Sequence, residues 1–217
     1  RWLAKKILVN ARSIICSNSY TARLTKDFLG NESAGKIKMV NPGVDSHITH
    51  NMEHITNLKR KYNLENKIVL LSVGRLVKRK GFDVVMESLP EVLREIPNLI
   101  YVIVGNGPEM SNVKCQMSNV GLNDKVIIIA DAGDEQKWAW YDVCDIFIMP
   151  SRDIDGDFEG FGIVYLEANL AGKPVIAGDS GGARDAVINE LNGLLVNPES
   201  TEEIATAIVK LAKDENL

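Results

Sequence analysis

Residues 67–105, KIVLLSVGRLVKRKGFDVVMESLPEVLREIPNLIYVIVG, contain a short apolar run, a longer stretch with periodic apolar positions, and a second short apolar run. The two short runs are continuous in Val, Ile and Leu, which is typical of strands buried on both faces of a parallel sheet. The stretch between them has apolar residues every three or four positions, the period of an amphipathic helix. The segment is therefore predicted to form a strand–helix–strand unit with a right-handed crossover.

The same alternation continues toward the carboxyl end of the chain. Strands are predicted at residues 67–73, 99–105, 125–130, 145–150, 173–178 and 193–198. Helical patterns lie between them, at residues 81–96, 107–121, 134–144, 161–172 and 182–190. Repeated units of this kind predict a doubly wound α/β domain with a parallel, six-stranded, Rossmann-like sheet.

The first 45 residues have a different organisation. They are predicted to form a helix, a strand, a second helix and a second strand, at residues 2–11, 13–17, 18–30 and 36–40. This is one and a half α/β units, so residues 1–45 are interpreted as the tail of a preceding α/β domain. Residues 41–47, NPGVDSH, are rich in turn formers and are predicted to join it to a second domain at residues 46–217. The chain is accordingly expected to be a piece of a longer protein.

Composition excludes some classes of function. The chain has 217 residues, 45% of them apolar, and a net charge of −4, which disfavours a general nucleic-acid binder. No apolar run approaches the roughly 20 residues of a membrane-spanning helix, and no signal peptide is predicted in this sequence. Three widely separated cysteines are typical of reduced thiols, and the protein is expected to be cytoplasmic.

The loop GRLVKRKG, residues 74–81, is the first candidate for binding chemistry. Ligands of doubly wound sheets bind outside the carboxyl ends of the strands, and this loop follows the first predicted strand. Gly74 allows a tight exit, and Arg75, Lys78, Arg79 and Lys80 then precede a helix. Cations at a helix N-terminus are unfavourable unless an anion binds there, and a phosphate group would fit. The alternative is a solvated basic loop, and Lys78 and Arg79 are assigned to it.

The turn VGNGP, residues 104–108, follows the second predicted strand. Gly105 and Gly107 do not extend to the dinucleotide-binding pattern G-x-G-x-x-G, because Met110 holds the third glycine position. NAD binding is therefore disfavoured, and the two glycines are predicted to shape the turn.

Acidic residues alternate in SRDIDGDFEGFGIVYLEA, residues 151–168. A calcium loop starting at Asp153 would need glycine at its sixth position and glutamate at its twelfth, but Phe158 and Val164 stand there. Asp153, Asp155 and Asp157 are instead predicted to lie in a solvated, mobile loop.

Three histidines, His47, His50 and His54, also have a spacing that suggests a metal site. They have no cysteine or acidic cluster near them, and zinc sites need three or four converging ligands. They are predicted to be solvated or to pack, and the sequence predicts no metal site.

The end of the acidic stretch has a different character. Gly160 and Gly162 leave backbone N–H groups bare at a helix start, where an anion can approach closely. Glu159 stands beside them as an acceptor for hydroxyl groups. Glu167 interrupts the apolar face of the helix, which a hydroxyl-rich ligand would explain; the alternative is an exposed helix position.

Five segments in the same order resemble the carboxyl-terminal half of a family 4 retaining glycosyltransferase with the GT-B fold. They are VGRLVKRKGFD, VGNGP, CDIFIMPS, EGFGIVYLEA and GKPVIAGDSGGARDAV. The resemblance covers about residues 65–213, and weakly residues 10–45. Glu159 and Glu167, with seven residues between them, match the signature glutamate pair of that family. The amino-acid sequences of several segments are similar to those of bacterial phosphatidylinositol mannosyltransferases, which use GDP-mannose.

The resemblance implies a role for each candidate residue. Arg75 and Lys80 would clamp the donor diphosphate and neutralise the leaving nucleotide. Glu159 would hold the hydroxyls of the donor sugar, and Glu167 those of the ribose. The backbone of residues 160–163 would face the diphosphate, and the base would lie near Ala130 and Asp131. The implied donor site comprises Gly74, Arg75, Lys80, Gly105, Gly107, Ala130, Glu159, Gly160, Phe161, Gly162, Ile163 and Glu167.

The resemblance also implies a reaction. A hexose would move, with retention, from a GDP- or UDP-linked donor to a sugar or lipid-linked acceptor, without a metal or other cofactor. Most of the amino-terminal domain of such enzymes is missing from this sequence, so the chain is expected to bind donor but to transfer little sugar alone. Peripheral contact with the inner face of a membrane would occur through that domain. The alternatives are a nucleotide-sugar epimerase relative and a non-catalytic nucleotide-binding module.

Overall fold

The amino-terminal segment forms two small strand–helix units in the computed structural model, which describes residues 2–45 and 52–214. Its elements are α1 (Trp2–Asn10), β1 (Ile14–Cys16), α2 (Ser19–Leu29), a 3-10 helix (Asn31–Lys36) and β2 (Ile37–Met39). The two strands pair in parallel, with Ile14 opposite Ile37. Asn18 precedes α2 and accepts a hydrogen bond from the Thr21 backbone N–H at 2.7 Å, the usual N-cap geometry. The predicted helices and strands of this segment are confirmed.

The predicted join to the second domain remains a prediction. Its boundary at residues 45 and 46 adjoins residues 46–51, which lie outside the described residues, as do His47 and His50. Beyond them, α3 (Met52–Lys61) is a helix that the sequence patterns did not predict. It is mostly polar, and only Leu58 among its residues is buried, so its apolar stripe is too narrow to detect by periodicity.

Six parallel strands form the large sheet, and all six were predicted. They are β3 (Ile68–Val73), β4 (Leu99–Val104), β5 (Val126–Ile129), β6 (Ile146–Met149), β7 (Val175–Gly178) and β8 (Gly193–Val196). The order across the sheet is β5-β4-β3-β6-β7-β8. In the register, Leu70 of β3 lies opposite Tyr101 of β4 on one side and Ile146 of β6 on the other. These side chains are at most 1% exposed, as expected for strands with helices on both faces.

A helix follows each strand of the large sheet, and most of these helices lie where the sequence predicts them. They are α4 (Phe82–Glu95), α5 (Met110–Asn119), α6 (Asp134–Val143), α7 (Ile163–Leu170), α8 (Ala183–Ala186) and α9 (Thr201–Lys213). The prediction of a helix over residues 182–190 is wrong beyond its first turn. Val187 is extended, and the Asn192 side chain accepts a hydrogen bond from the Ile188 backbone N–H at 2.7 Å, which holds the chain in a loop. None of the helices in residues 2–45 and 52–214 is long and apolar enough to cross a membrane.

The strand order creates a switch point between β3 and β6. The chain proceeds from β3 to β4 and β5 on one side, and then returns to β6, β7 and β8 on the other. The loops that leave β3 and β6 therefore diverge, and a crevice opens between them at the carboxyl edge of the sheet. Residues 74–81 and 150–162, which contain most of the candidate residues, follow these two strands.

Candidate functional site

Glu159 lies at the switch point of the sheet, beside side chains from the loop that follows β3. Its Oε2 atom is 2.5 Å from Lys80 Nζ and 3.0 Å from Arg79 NH1, and it accepts a longer hydrogen bond, 3.3 Å, from Ser151 Oγ. Glu159 and Lys80 are each only 8% exposed. The structure thus brings together two of the residues that the sequence proposed for one site.

The charge of Glu159 is set by opposing effects. Burial is the largest single effect and raises its pKa, but the attraction and hydrogen bonds of Lys80 and Arg79 together outweigh burial, so the pKa is lowered from the ordinary value. Glu159 is therefore a carboxylate at neutral pH. A buried carboxylate with two cations is a fixed acceptor for hydroxyl groups of a ligand in the crevice.

Arg79 belongs to this site, and its assignment to a solvated basic loop is wrong. Besides its contact with Glu159, its Nε atom lies 3.0 Å from Asp157 Oδ1. The cause is the 3-10 turn at Lys78–Lys80, which directs Arg79 and Lys80 to one carboxylate and leaves Lys78 exposed. The sequence contains the adjacent cations but not the turn geometry that distinguishes them.

The acidic loop makes specific hydrogen bonds. Asp153 accepts hydrogen bonds from the Tyr20 hydroxyl at 3.0 Å and from the Gly156 backbone N–H at 2.8 Å. Ile154 and Asp157 exchange two backbone hydrogen bonds. The side chains of Asp153, Asp155 and Asp157 are exposed, so the prediction that they are solvated is confirmed, whereas their mobility remains a prediction. Across the described ranges, no group of three His, Cys, Asp or Glu side chains is arranged to hold a metal ion.

Arg75 lies in the same loop as Lys80 but does not join the Glu159 cluster. Its side chain is exposed, and it makes no hydrogen bond or ion pair with any described residue. It remains available to an anion from solution.

The glycines of the first two loops allow backbone to pack on backbone. A Cβ atom at Gly105 would collide with the carbonyl oxygen of Gly74, and one at Gly107 with that of Leu76. At Gly74, an added Cβ would stand 3.9 Å from Lys80 Nζ. The prediction that Gly105 and Gly107 shape the turn is confirmed. Gly74 lies between this turn and the Lys80 side chain, so the two loops meet beside Lys80.

The start of α7 presents backbone donors. Gly162 has a φ of 84°, and an added Cβ would collide with the ring of Tyr165. Within the described part of the chain, no group accepts a hydrogen bond from the backbone N–H groups of residues 160–164. Phe161 is buried and Ile163 is 44% exposed. These free N–H groups lie directly after Glu159, as the glycine pattern predicts, and they are suited to an anion.

Glu167 lies one turn into α7 and is not the exposed helix position that the sequence left open. It is 8% exposed. Its Oε2 atom accepts a 2.7 Å hydrogen bond from the Tyr141 hydroxyl, and its Oε1 atom lies 3.0 Å from Lys137 Nζ. Tyr141 and Lys137 are four residues apart, on one face of α6, and no sequence pattern assigned them to the site. Ala130 and Asp131 follow β5 at the same edge of the sheet, and both are exposed.

The amino-terminal segment contacts the loop that contains Glu159. The Asn18 side-chain amide donates a hydrogen bond to the Gly160 carbonyl oxygen, and Ser19 Oγ donates to Asp185 Oδ1 at 2.6 Å. The Tyr20 ring packs edge-on against Phe158, with centroids 4.7 Å apart. These contacts link residues more than 130 positions apart, which periodicity cannot predict.

Comparison with known proteins relates this site to a family of enzymes. The family described as "Glycosyl transferases group 1" matches residues 54–217. The chain is 35% identical, over 176 residues, to the GDP-mannose-dependent alpha-(1-6)-phosphatidylinositol monomannoside mannosyltransferase of Mycolicibacterium smegmatis; the match covers 80% of this chain and 46% of that protein. It is 34% identical over 184 residues to the protein of the same description in Mycobacterium tuberculosis, covering 83% and 48%. The chain therefore spans about half the length of the curated relatives that it matches.

Solved structures support the fold. Anabaena Alr3699/HepE in complex with UDP has a TM-score of 0.82 and 26% identity, covering 94% of this chain and 55% of that one. Sucrose-phosphate synthase from Thermosynechococcus elongatus has a TM-score of 0.81 and 25% identity, covering 98% and 52%. The six-stranded sheet is that of GT-B glycosyltransferases, as the sequence resemblance implied. The match over residues 54–217, with the mannosyltransferase relatives, shows that this chain belongs to the group 1 glycosyltransferase family.

Proposed function

We propose that this chain contains the donor site of a retaining hexosyltransferase. The enzyme would move a hexose from a nucleoside diphosphate sugar to a sugar or lipid-linked acceptor. The observation that supports this most directly is the ionised Glu159, buried between Lys80 and Arg79, directly before the free N–H groups at the start of α7. A hydroxyl acceptor and a set of anion-binding groups thus adjoin in one crevice, as a sugar linked to a diphosphate requires.

Each side of the crevice has a distinct role in this proposal. Negative charge grows on the diphosphate as the bond to the sugar breaks, and preorganised donors stabilise it. The loop after β3 supplies two cations, Lys80 and Arg75, and Arg75 has no partner among the described residues. The backbone of residues 160–163 supplies N–H donors. Glu159 accepts hydrogen bonds from the sugar hydroxyls. Because cations and N–H groups meet the diphosphate charge, the proposed reaction needs no metal and no other cofactor.

GDP-mannose is the first donor to test, and a UDP-sugar is the second. The mannosyltransferase relatives are named as GDP-mannose-dependent, whereas the HepE structure contains UDP at lower identity. The same relatives act on phosphatidylinositol monomannoside by name, which favours a lipid-linked acceptor. An enzyme with such an acceptor would work from the cytoplasm at the inner face of a membrane, in peripheral contact with it.

The base of the nucleotide is proposed to lie beside Ala130, at the end of β5. Gly74, Gly105 and Gly107 would line the same side of the donor by keeping the first two loops close together. Since the chain spans about half of its relatives, we expect it to bind donor and to transfer little sugar alone.

Calorimetric titration of the chain with GDP, UDP, GDP-mannose and UDP-glucose, with and without magnesium, tests the proposal. We expect metal-independent binding of one nucleotide, weakened at least about tenfold in Arg75→Ala and in Lys80→Ala, because each loses a charge-assisted contact. Lys78→Ala is the matched control, since Lys78 is an exposed cation of the same loop. Absence of binding to all four compounds, or equal losses in all three variants, would contradict the proposed site.

A further inference from the structure

The setting of Glu167 contains two side chains that the proposed donor site does not yet use. Glu167 belongs to α7, whereas Tyr141 and Lys137 belong to α6, so the contact joins two helices across the sheet edge. Tyr141 is fully buried, and the Lys137 side chain is 24% exposed. The carboxylate is therefore held from the interior by a hydroxyl and from the rim by an ammonium group.

The hydrogen-bonding capacity of Glu167 is only half used by these contacts. An ionised carboxylate offers about four lone-pair positions, two on each oxygen. Tyr141 takes one on Oε2 and Lys137 takes one on Oε1. One position on each oxygen remains, which matches two adjacent hydroxyl groups such as the 2′- and 3′-hydroxyls of a ribose.

The direction of the Tyr141 contact is fixed. Burial, followed by the nearby charge of Glu167, raises the pKa of the Tyr141 hydroxyl well above its ordinary value, so it stays protonated. It can only donate to the carboxylate, and the two groups hold one arrangement. The Tyr141 ring is held independently, by Trp138 and Phe147 at centroid distances of 5.3 and 5.6 Å, so the ring packs without help from the hydroxyl.

We propose that Tyr141 and Lys137 are positioning residues that hold the Glu167 carboxylate as the acceptor for the ribose hydroxyls of the donor nucleotide. This inference rests on the proposed donor site. It assigns the recognition of ribose to three side chains of two helices rather than to Glu167 alone, with Tyr141 fixing one oxygen and Lys137 the other.

The experiment compares GDP with 2′,3′-dideoxy-GDP, and UDP with 2′,3′-dideoxy-UDP, by calorimetric titration of the chain. Glu167 can recognise only the ribo form, so the affinity ratio within a pair reports on its contacts. Two charge-assisted hydrogen bonds predict a ratio of about a hundred in the unaltered chain. Tyr141→Phe keeps the ring and removes the hydroxyl, and we expect the ratio to fall about tenfold, chiefly through weaker binding of the ribo form.

Two further variants distinguish a loss of Glu167 positioning from a general loss of structure. Tyr101→Phe removes a fully buried hydroxyl, bonded to Ser72 at 2.8 Å in the middle of the sheet, and should leave the ratio unchanged. Lys137→Met alters a partly exposed side chain, so it tests the inference even if Tyr141→Phe fails to fold. We expect it to lower the ratio as well, because Glu167 loses the partner of its other oxygen.

The outcomes distinguish this inference from the donor site on which it rests. A lowered ratio in Tyr141→Phe and Lys137→Met, with Tyr101→Phe unchanged, supports it. An unchanged ratio in both, or equal loss of the ribo and dideoxy forms, overturns it and leaves the donor site intact. Binding of GDP or UDP with no preference for the ribo form overturns it likewise. No nucleotide binding by the unaltered chain removes the donor site and this inference together.

Discussion

The ammonium group of Lys80 lies 2.5 Å from Oε2 of Glu159, and this ion pair joins the loops that follow β3 and β6 across the switch point of the sheet. Both side chains are buried, so each would be costly to leave without the other. Arg79 provides a second cation for the same oxygen. In the proposed donor site, Lys80 would turn toward the diphosphate while Glu159 keeps Arg79 as a partner.

The lowered pKa of Glu159 predicts how acid affects stability. The unfolded chain takes up a proton at Glu159 near the ordinary value of 4.5, before the folded chain does. The stabilisation that the ionised Glu159 gives the folded chain is thus complete above this unfolded-state value, and it is lost as the pH falls through the folded-state pKa of Glu159. We expect Glu159→Gln to cost about 3 kcal/mol at pH 6, since it leaves two cations unpaired, and to cost less at pH 3.

Thermal unfolding at pH 6 and pH 3 measures this difference. Glu91→Gln, an exposed glutamate of α4, is the control and should follow the unaltered chain at both values. If Glu159→Gln lost as much stability between the two pH values as the unaltered chain, the ion pair would not be the source of the effect.

In the proposed donor site, Arg79 would act on the sugar through Glu159, which separates its effect from that of Lys80. We expect Arg79→Gln to bind GDP with an affinity within about twofold of that of the unaltered chain. The gain in affinity from GDP to GDP-mannose should fall about fivefold in this variant, because a less firmly held carboxylate accepts hydrogen bonds from hydroxyl groups less well. UDP and UDP-glucose form the parallel pair. Lys78→Gln removes the same charge from the exposed side of the loop and should change neither affinity. Equal losses for nucleotide and sugar nucleotide would place Arg79 on the diphosphate instead.

Much of this site could be predicted from the sequence, because parallel strands impose their own geometry. Continuous apolar runs located all six strands, and loops at one edge of a sheet must meet. The approach of Lys80 to Glu159 follows from that rule. The difference between Lys78 and Arg79 does not, since a single 3-10 turn decides which cation faces inward.

Contacts between helices were beyond the reach of sequence patterns for a related reason. Lys137 and Tyr141 lie on one face of α6, but the identity of the helix they meet depends on the sheet order. The helix α3 was missed because its polar surface leaves almost no periodic signal. Asn18 resembles an ordinary N-cap in the sequence, and its second contact, with Gly160, depends on how the amino-terminal segment packs on the large domain.

The backbone at Gly162 predicts a sharp local cost of substitution. Its φ of 84° is strained for any other residue, and an added methyl group would meet the Tyr165 ring. We expect Gly162→Ala to lose at least about 2 kcal/mol of stability. Gly160→Ala is the neighbouring control, since nothing lies within 4 Å of its added Cβ, and it should stay within about 1 kcal/mol. Chemical denaturation of the two variants gives the comparison, and similar losses would contradict the strain at Gly162.

Asn18 performs two functions that a single substitution can separate. Its Oδ1 atom caps α2 through the Thr21 N–H, and its Nδ2 atom donates to the Gly160 carbonyl oxygen. Asn18→Asp keeps the capping oxygen but cannot donate, whereas Asn18→Ala loses both contacts. We expect both variants to speed amide hydrogen exchange at Gly182, whose N–H donates to the Glu159 carbonyl oxygen at 2.8 Å, because the loop loses its tie to the amino-terminal segment. Ser200→Ala removes the N-cap of α9, far from this loop, and should cost about 1 kcal/mol of stability without changing that exchange. Exchange in Asn18→Asp as slow as in the unaltered chain would mean that the Gly160 contact does not hold the loop, and that Asn18 serves only as a cap.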